Sequence, residues 1–245
     1  MEPWSYEPVS VPEPARAWMR RFPRDPDMTV YAIRTASQLV VRALLRGYNR
    51  FDVQGSANLP LRESFVMVCN HSSHLDALCL TASLPLARVH RAYPAAAADY
   101  FFSSLPRSVF SILVVNGLPF DREHGSAGSL ETCRQLLAQP GNVLIMFPEG
   151  TRSPSGALGR FRSGIGRLVA GTATPVVPCH LAGAHDAWPK GAVLPRPRTL
   201  LLRIGRPRVF LGTPPDDRAA AASIGARLRE DVLELAQGQS VTPPT

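Results

Sequence analysis

The sequence predicts a single α/β domain with a mostly parallel or mixed central sheet flanked by helices, plus an N-terminal amphipathic helix. Three observations lead to this prediction. Short apolar runs rich in β-branched residues, such as 65–69 and 143–147, alternate with helical stretches. No internal repeat is visible, and 245 residues is an ordinary length for one α/β domain. Strands that alternate with helices form sheets covered on both faces.

The elements can be placed in order along the chain. Residues 1–27 hold six prolines and show little periodicity, which predicts a proline-rich extension. Residues 51–240 are predicted to form the main domain. Within it we expect strands at 51–53, 65–69, 89–93, 143–147, 176–181, 200–204 and 209–211, and helices at 131–139 and 219–237.

Residues 28–50 predict a basic amphipathic helix at the membrane interface. Apolar residues fall on one side of this helix, and Arg34, Gln38, Arg42 and Arg46 recur every fourth residue on the other. Two interpretations stay open. The arginines can lie against anionic headgroups in a membrane interface, or they can form the solvated face of an ordinary helix that covers the core.

Composition limits the class of partner. Hydrophobic residues make up 45% of the chain and charged residues 19%, which is typical of a globular protein. The net charge of +8 comes almost wholly from arginine, because Lys190 is the only lysine. The positive field favours anionic partners. No nucleic-acid partner is expected, since the arginines are spread along the chain without a recognisable nucleic-acid-binding module.

Targeting signals and cysteines indicate the compartment. The cysteines at positions 69, 79, 133 and 179 have neither paired nor metal-type spacing. The Met-Glu-Pro start lacks the layout of a signal peptide. No apolar run reaches the roughly 18 to 20 residues that span a bilayer. We therefore expect a reduced protein, bound peripherally at the cytoplasmic face of the membrane.

A dense polar cluster follows the apolar run at 65–69. With Ser72 or Ser73 as the N-cap of the next helix, His71 lies in the loop and Asp76 lies in the first helical turn, as its third residue if Ser73 is the cap. The positive end of the helix favours an ionised Asp76 and a neutral His71. This arrangement is typical of a general base and the carboxylate that orients it.

Two other interpretations of this cluster stay open. A histidine beside a serine-rich turn is commonly a capping or surface residue. His71, His74 and Asp76 are also metal-ligand types, although their spacing is not that of a zinc-binding helix.

A second polar cluster, at residues 148–153, ends the apolar run at 143–147. If this strand and the strand before His71 are parallel neighbours, Glu149 and Arg152 project at the same sheet edge as His71. The carboxyl ends of strands are where α/β sheets bind ligands. The two clusters are therefore predicted to share one site.

Two arginine-bearing turns add to this site. Arg160 and Arg162 precede the small-residue run 163–166, which opens a helix and predicts a phosphate seat. Arg122 follows a Gly-Pro turn after the apolar stretch 101–115. That stretch is either buried core, the wall of an apolar tunnel or a second membrane-contacting element.

Four ordered blocks resemble those of the glycerolipid acyltransferase family, of the 1-acylglycerol-3-phosphate acyltransferase type. The resemblance covers roughly residues 50–212, and the first and third blocks together are highly specific. The blocks are Asn70-His71 through Asp76 (the H-x4-D motif), Gly117-x-x-Phe120-x-Arg122, Phe147 through Ser153, and the apolar strand at 176–178 that ends near Gly183.

The resemblance implies an enzyme that moves a fatty acyl group from acyl-CoA or acyl-carrier protein to the free hydroxyl of a lysophospholipid. The implied acceptor is 1-acyl-glycerol-3-phosphate and the product is phosphatidic acid. His71 would act as the base and Asp76 would orient it, with no cofactor or metal besides the acyl thioester as co-substrate. The positions implied to bind substrate are Asn70, Arg122, Glu149, Gly150, Thr151 and Arg152.

Other functions share these residues. The same mechanism can serve a different acceptor, such as a lyso-aminolipid or a hydroxyl-bearing secondary metabolite. A non-catalytic lipid-binding protein could also keep the shape of the site. The expected partners are a membrane surface with anionic lipids, a lysophospholipid and an acyl thioester.

Overall fold

The computed structural model describes residues 28–97, 114–120, 126–189, 191–215 and 217–238, and the predicted extension at 1–27 lies outside them. The helices are α1 (Met28–Asn49), α2 (Leu75–Ser83), α3 (Ser126–Ala138), α4 (Gly164–Val169), α5 (Ala184–Ala187) and α6 (Arg218–Ala236). The strands are β1 (Asp52–Gln54), β2 (Phe65–Cys69), β3 (Ala92–Ala97), β4 (Leu118–Phe120), β5 (Val143–Met146), β6 (Val176–Ala182) and β7 (Leu201–Ile204). Short 3-10 helices cover Ser56–Asn58 and Leu86–Arg91.

Within the described residues the strands form one seven-stranded sheet in the order β1-β7-β6-β2-β5-β3-β4. The central strand β2 runs parallel to both β5 and β6. Strand β7 runs antiparallel to β6, and β1 runs parallel to β7. The sheet is therefore mixed, which confirms the predicted α/β fold class.

The core lies on both faces of the sheet. Alternate residues of β2 point to opposite sides: Phe65 and Met67 pack with residues of α1 and α2, and Val66 and Val68 pack with residues of α3, α4 and α6. All five residues of β2 are fully buried. A strand buried on both faces is a near-continuous apolar run, which is why the sequence pattern located β2, β5 and β6, in the last of which His180 is the polar exception.

Two predicted strands differ from the structure. The predicted strand at 89–93 begins as the 3-10 helix Leu86–Arg91, and β3 starts only at Ala92. The chain at 209–211 is not a strand, and only its neighbour Arg208 forms an isolated bridge to Val176. The two errors have different causes. Val89 is fully buried within the 3-10 helix, whereas Val209 and Leu211 are 52% and 64% exposed and lack strand partners among the described residues, so a β-branched residue type alone did not decide either segment. The stretch 101–113 lies outside the described residues.

The polar side of helix α1 was predicted to face solvent or lipid headgroups. In the structure most of this side packs against the rest of the protein. Arg34 and Gln38 are only 3% and 0% exposed, whereas Val40 and Leu44 are 59% and 60% exposed. The predicted orientation is therefore wrong for Arg34 and Gln38, which face the protein, whereas Arg46 at the end of the same row is exposed. Polar groups of this face bond to backbone carbonyls: Arg42 Nη2 donates to Leu84 O and Gln38 Nε2 donates to Val114 O.

The outward face of α1 is consequently apolar. Its most exposed large side chains are Met28, Ile33, Leu39, Val40, Leu44 and Tyr48. We call Ile33, Val40 and Leu44 the α1 stripe, because a 3.6-residue period places them on one side of the helix. None of the helices in the described ranges combines the length and hydropathy needed to cross a bilayer.

Candidate active site

The site lies at the carboxyl ends of the parallel strands β2, β5 and β6. Because these strands are parallel neighbours, the residues that follow β2 and β5 meet there, as the sequence predicted. The His71 ring stacks on the Phe147 ring with centroids 4.2 Å apart and an interplanar angle of 17°. The backbone N-H of Ser153 donates to His71 O at 2.7 Å. The two polar clusters therefore form one structure.

His71 and Asp76 are in direct contact. His71 Nδ1 lies 2.8 Å from Asp76 Oδ2, with the Asp76 side chain fully buried and the His71 side chain 17% exposed. A carboxylate can only accept, so Nδ1 carries the hydrogen, and in the neutral ring Nε2 is the nitrogen with the lone pair. The same Oδ2 accepts the backbone N-H groups of Ser72 and Ser73, at 2.7 and 2.8 Å.

The helix that carries Asp76 starts later than predicted. The N-cap of α2 is His74 rather than Ser72 or Ser73, and Asp76 is the second helical residue rather than the third. The Ser73 hydroxyl still accepts the N-H of Leu75 at 3.1 Å. Because α2 starts later, the turn before it is one residue longer. The Asp76 carboxylate then lies over the N-terminus of α2, where it contacts His71.

Glu149 holds the His71 turn in place. One carboxylate oxygen accepts the His71 N-H at 2.7 Å, and the other accepts the Gly159 N-H at 2.9 Å. The residue is 8% exposed. Burial raises the pKa of the Glu149 carboxyl, and the two N-H groups oppose that effect. The geometry gives Glu149 a positioning role, and a direct contact with substrate remains a prediction.

Asn70 joins the end of β2 to the end of β6. Its Nδ2 donates to Leu181 O at 3.0 Å, and its Oδ1 accepts the Leu181 N-H at 2.8 Å. The side-chain amide therefore replaces a backbone pair where the two strands stop. Asn70 is 5% exposed, so the structure gives it an anchoring role beside His71 rather than an open polar surface.

The remaining predicted residues line the turn after β5. Gly150 has φ 77°, and a Cβ there would lie 2.7 Å from Arg162 Nε. The positive φ favours glycine here, and any larger residue would also have to displace the Arg162 side chain. Thr151 is exposed and Arg152 is half-buried in the same turn. Arg122 lies outside the described residues.

The small-residue run at 163–166 has a packing explanation. A Cβ on Gly166 would lie 1.9 Å from Ala221 O, so α4 and α6 touch through this glycine. Gly164 has open space around it. Helix α4 is six residues long, and its N-cap Ser163 makes no side-chain cap. The phosphate-binding site expected at this helix start remains a prediction, and it rests on Arg160 and Arg162.

Two contacts of the site could not be read from the sequence. The Ser73 hydroxyl donates to Trp188 O at 2.9 Å, and the His74 ring packs at 5.4 Å against the Trp188 ring. His74 therefore belongs to a packed wall beside the site. Across the part of the chain that the structure describes, no group of three metal-ligating side chains comes together.

These features define a class of protein: an α/β fold in which a histidine and its carboxylate partner, the arrangement typical of a general base and its orienter, follow a central parallel strand. The family model described as Acyltransferase matches residues 50–182, and the chain belongs to that family. The predicted resemblance to glycerolipid acyltransferases is confirmed.

Named relatives give the comparison more detail. The chain is 30% identical over 148 residues to a 1-acyl-sn-glycerol-3-phosphate acyltransferase of Limnanthes alba, covering 60% of this chain and 50% of the relative. It is 28% identical over 189 residues to the human 1-acyl-sn-glycerol-3-phosphate acyltransferase alpha, covering 76% and 63%. The chain thus spans about half the length of the plant relatives that it matches.

A solved structure shares the fold. The crystal structure of the 1-acyl-sn-glycerophosphate acyltransferase PlsC from Thermotoga maritima superposes with a TM-score of 0.64 at 23% sequence identity. The match covers 87% of this chain and 84% of that one. It confirms the fold class and, at this identity, the fold alone.

Proposed function

We propose that the protein is an acyltransferase that moves a fatty acyl group from acyl-CoA or acyl-carrier protein to the free hydroxyl of 1-acyl-glycerol-3-phosphate, giving phosphatidic acid. The contact between His71 Nδ1 and Asp76 Oδ2 is the observation that carries this proposal. The names of the relatives support the acceptor.

The chemistry follows from the free Nε2 of His71. As the acceptor oxygen attacks the thioester carbonyl carbon, Nε2 takes the hydroxyl proton, and Asp76 stabilises the charge that develops on the ring. The new C-O bond forms, the C-S bond breaks, and the thiolate leaves with the proton that His71 returns. A free alcohol is a weak nucleophile, so a positioned base supplies roughly 10² to 10⁴-fold. The reaction balances without a cofactor.

The acceptor's phosphate is assigned to the arginines around the turn after β5. Arg162 lies against Gly150, and Arg152 is in the same turn. Arginine binds phosphate oxygens through paired N-H groups, which suits a dianionic head. Arg122, from the second sequence block, is proposed to join them. A headgroup held here lies beside the His71 turn, because Ser153 and Glu149 are bonded to that turn.

The place of action is proposed to be the cytoplasmic face of a membrane, bound peripherally. The α1 stripe supports this proposal, since three large apolar side chains with 42%, 59% and 60% exposure lie on one face of a 22-residue helix. A helix with an apolar outer face lies in the boundary between headgroups and acyl chains. Lysophospholipid acceptors and anionic lipids are both present in such a surface.

Replacing His71 by alanine tests the reaction. Purified wild type and variant are incubated with an acyl thioester and 1-acyl-glycerol-3-phosphate, and the product is identified by mass. We expect the variant to lose transfer with its circular dichroism spectrum unchanged. His74→Ala is the matched control, because it removes a histidine from the same motif and should keep most of the activity. Retained turnover in the His71 variant would refute the proposed mechanism.

A matrix of donors and acceptors tests the substrates. Acyl-CoA and acyl-carrier protein are each combined with lysophosphatidic acid, a lyso-aminolipid and hydroxyl-bearing small molecules. We expect the highest kcat/KM with lysophosphatidic acid. A higher value with another acceptor would replace the proposed substrate while keeping the mechanism. Tight lipid binding without transfer from any donor would indicate a lipid-binding protein.

A further inference from the structure

The loop between α5 and β7 exposes two large apolar side chains. In this loop, residues 191–198, Val193 is 87% exposed and Leu194 is 74% exposed. Arg196 and Arg198 follow them and are also exposed. Each apolar side chain left in water forgoes the free energy of burial, so two adjacent ones at a loop tip indicate a surface that is covered in use.

Hydrogen bonds fasten this loop to the C-terminal end of α1. The Tyr48 hydroxyl donates to Pro195 O at 3.1 Å. Asn49 Nδ2 donates to the carbonyl oxygens of Arg196 and Arg198, at 3.1 and 3.2 Å. Leu44, one turn before Tyr48, belongs to the α1 stripe. The loop and the stripe are therefore neighbouring parts of one surface.

The other end of the loop is fastened to the active site. Trp188 Nε1 donates to Ala192 O at 2.9 Å. The carbonyl oxygen of Trp188 accepts a hydrogen bond from the Ser73 hydroxyl, and the Trp188 ring packs against the His74 ring. Ser73 is two residues from the catalytic base. The loop thus lies between the α1 stripe and the turn that holds His71.

From these contacts we infer that the 191–198 loop is a second membrane-contacting element, with Val193 and Leu194 inserted among the lipids and Arg196 and Arg198 against anionic headgroups. This inference rests on the proposed function, in which α1 lies on the same bilayer. An anionic bilayer fits better than a second copy of the chain. Both copies would carry these arginines and a net charge of +8, so their approach would be repulsive.

Vesicle binding by the full chain tests the inference. Co-sedimentation with phosphatidylglycerol-containing vesicles is measured for wild type and for Val193→Asp/Leu194→Asp. We expect the double variant to bind at least about tenfold more weakly, because two carboxylates replace side chains that would be buried in lipid. Activity on a detergent-dispersed short-chain substrate should stay unchanged, because neither residue belongs to the catalytic machinery.

Val209→Asp/Leu211→Asp is the matched control. It changes the same residue types, and these two side chains are 52% and 64% exposed. They lie next to the bridge between Arg208 and Val176, at the amino ends of the parallel strands, whereas His71 follows a carboxyl end. We expect this variant to bind vesicles within about twofold of wild type. An equal loss in both double variants would overturn the inference, because general surface hydrophobicity would then explain binding.

The inference about the loop can be wrong while the proposed function stands. If serine at Ile33, Val40 and Leu44 abolishes binding and Val193→Asp/Leu194→Asp binds like wild type, the loop is not a membrane element and the role of α1 survives. Arg196→Gln/Arg198→Gln should reduce the preference for anionic over phosphatidylcholine vesicles severalfold, and an unchanged preference would overturn the electrostatic part. A wild-type dimer that Val193→Asp/Leu194→Asp dissociates would show that a second copy covers the loop instead.

Discussion

The Glu149 carboxylate accepts the backbone N-H of His71 at 2.7 Å, so the third sequence block holds the first one in position. The other Glu149 oxygen accepts the Gly159 N-H, and both oxygens are thereby engaged with backbone. A buried carboxylate between two backbone segments fixes their separation. This relationship gives Glu149, for which the sequence predicted substrate binding, a function in positioning His71.

Glu149→Gln should lower kcat by about 10² with little change in KM for the acceptor, because the amide places N-H groups against one of the two backbone donors and shifts the His71 turn. Steady-state kinetics with varied acceptor separates the two constants. Glu63→Gln is the control, since it makes the same change at an exposed position. A raised acceptor KM at constant kcat would instead indicate that Glu149 contacts the substrate.

Asp76→Asn should lower kcat/KM by about 10² to 10⁴, because an amide can present its NH₂ to His71 Nδ1 and favour the wrong ring tautomer. The ¹⁵N chemical shifts of the His71 ring report the tautomer directly. Asp52→Asn, at an exposed strand position, should leave the rate unchanged. Normal turnover with Asp76→Asn would show that the base needs no carboxylate partner.

Gly166→Ala should destabilise the fold by about 2–3 kcal/mol, because the added methyl would lie 1.9 Å from Ala221 O between α4 and α6. Gly164→Ala is matched in type and position. It meets open space and should change stability by less than about 1 kcal/mol, helped by the better helix propensity of alanine. Chemical denaturation measures both. Equal effects would contradict the packing explanation of this glycine run.

Arg42→Gln should lower the free energy of unfolding by about 1–2 kcal/mol, because Arg42 bonds to Leu84 O on the inward face of α1. Arg46→Gln, one turn further along, removes an exposed charge and should leave stability nearly unchanged. Thermal and urea unfolding compare the pair. If Arg42→Gln were neutral for stability, the inward orientation of the polar face would be wrong.

The stability of the fold should fall as pH drops from about 6.5 to about 4 because of His180. Burial, aided by the positive charge of Arg203 on the neighbouring strand, lowers the pKa of His180 from 6.5 to about 4. Below pH 6.5 the unfolded chain therefore binds a proton that the native chain does not. Urea unfolding across this range should show a shallower fall for His180→Gln than for wild type. Parallel pH profiles would exclude His180 as the source.

Most of the strands and the contact between His71 and Asp76 were predictable because their signals are local. Strands β2 and β6 lie between other strands and under helices on both faces. The sequence of β2 is an unbroken apolar run, and that of β6 is apolar except for His180. His71 and Asp76 are five residues apart, so a loop followed by one helical turn is enough to bring their side chains within reach of each other. The exact start of α2 was not predictable, since Ser73 and Asp76 both supply acceptors at that helix end.

The orientation of α1 and the bracing of the site depend on distant residues. Periodicity separates two faces of α1, but contacts with distant residues, among them Leu84 O and Val114 O, hold Arg42 and Gln38 toward the protein. The partner of Asn70 is Leu181, 111 positions away, and nothing near Asn70 in the sequence indicates it. The motifs therefore predicted which residues come together, but not which contacts each side chain makes there.

The position of β2 in the middle of the sheet also sets an order of events during folding. Asn70 and the His71 turn are made early by the ribosome, but their anchors Glu149 and Leu181 follow 78 and 111 residues later. Contacts of such long sequence separation form slowly. A nascent chain that has not reached Leu181 carries the whole H-x4-D motif but lacks β6, the strand that holds the motif in place. We therefore expect acyltransferase activity to arise only when β6 has joined the sheet.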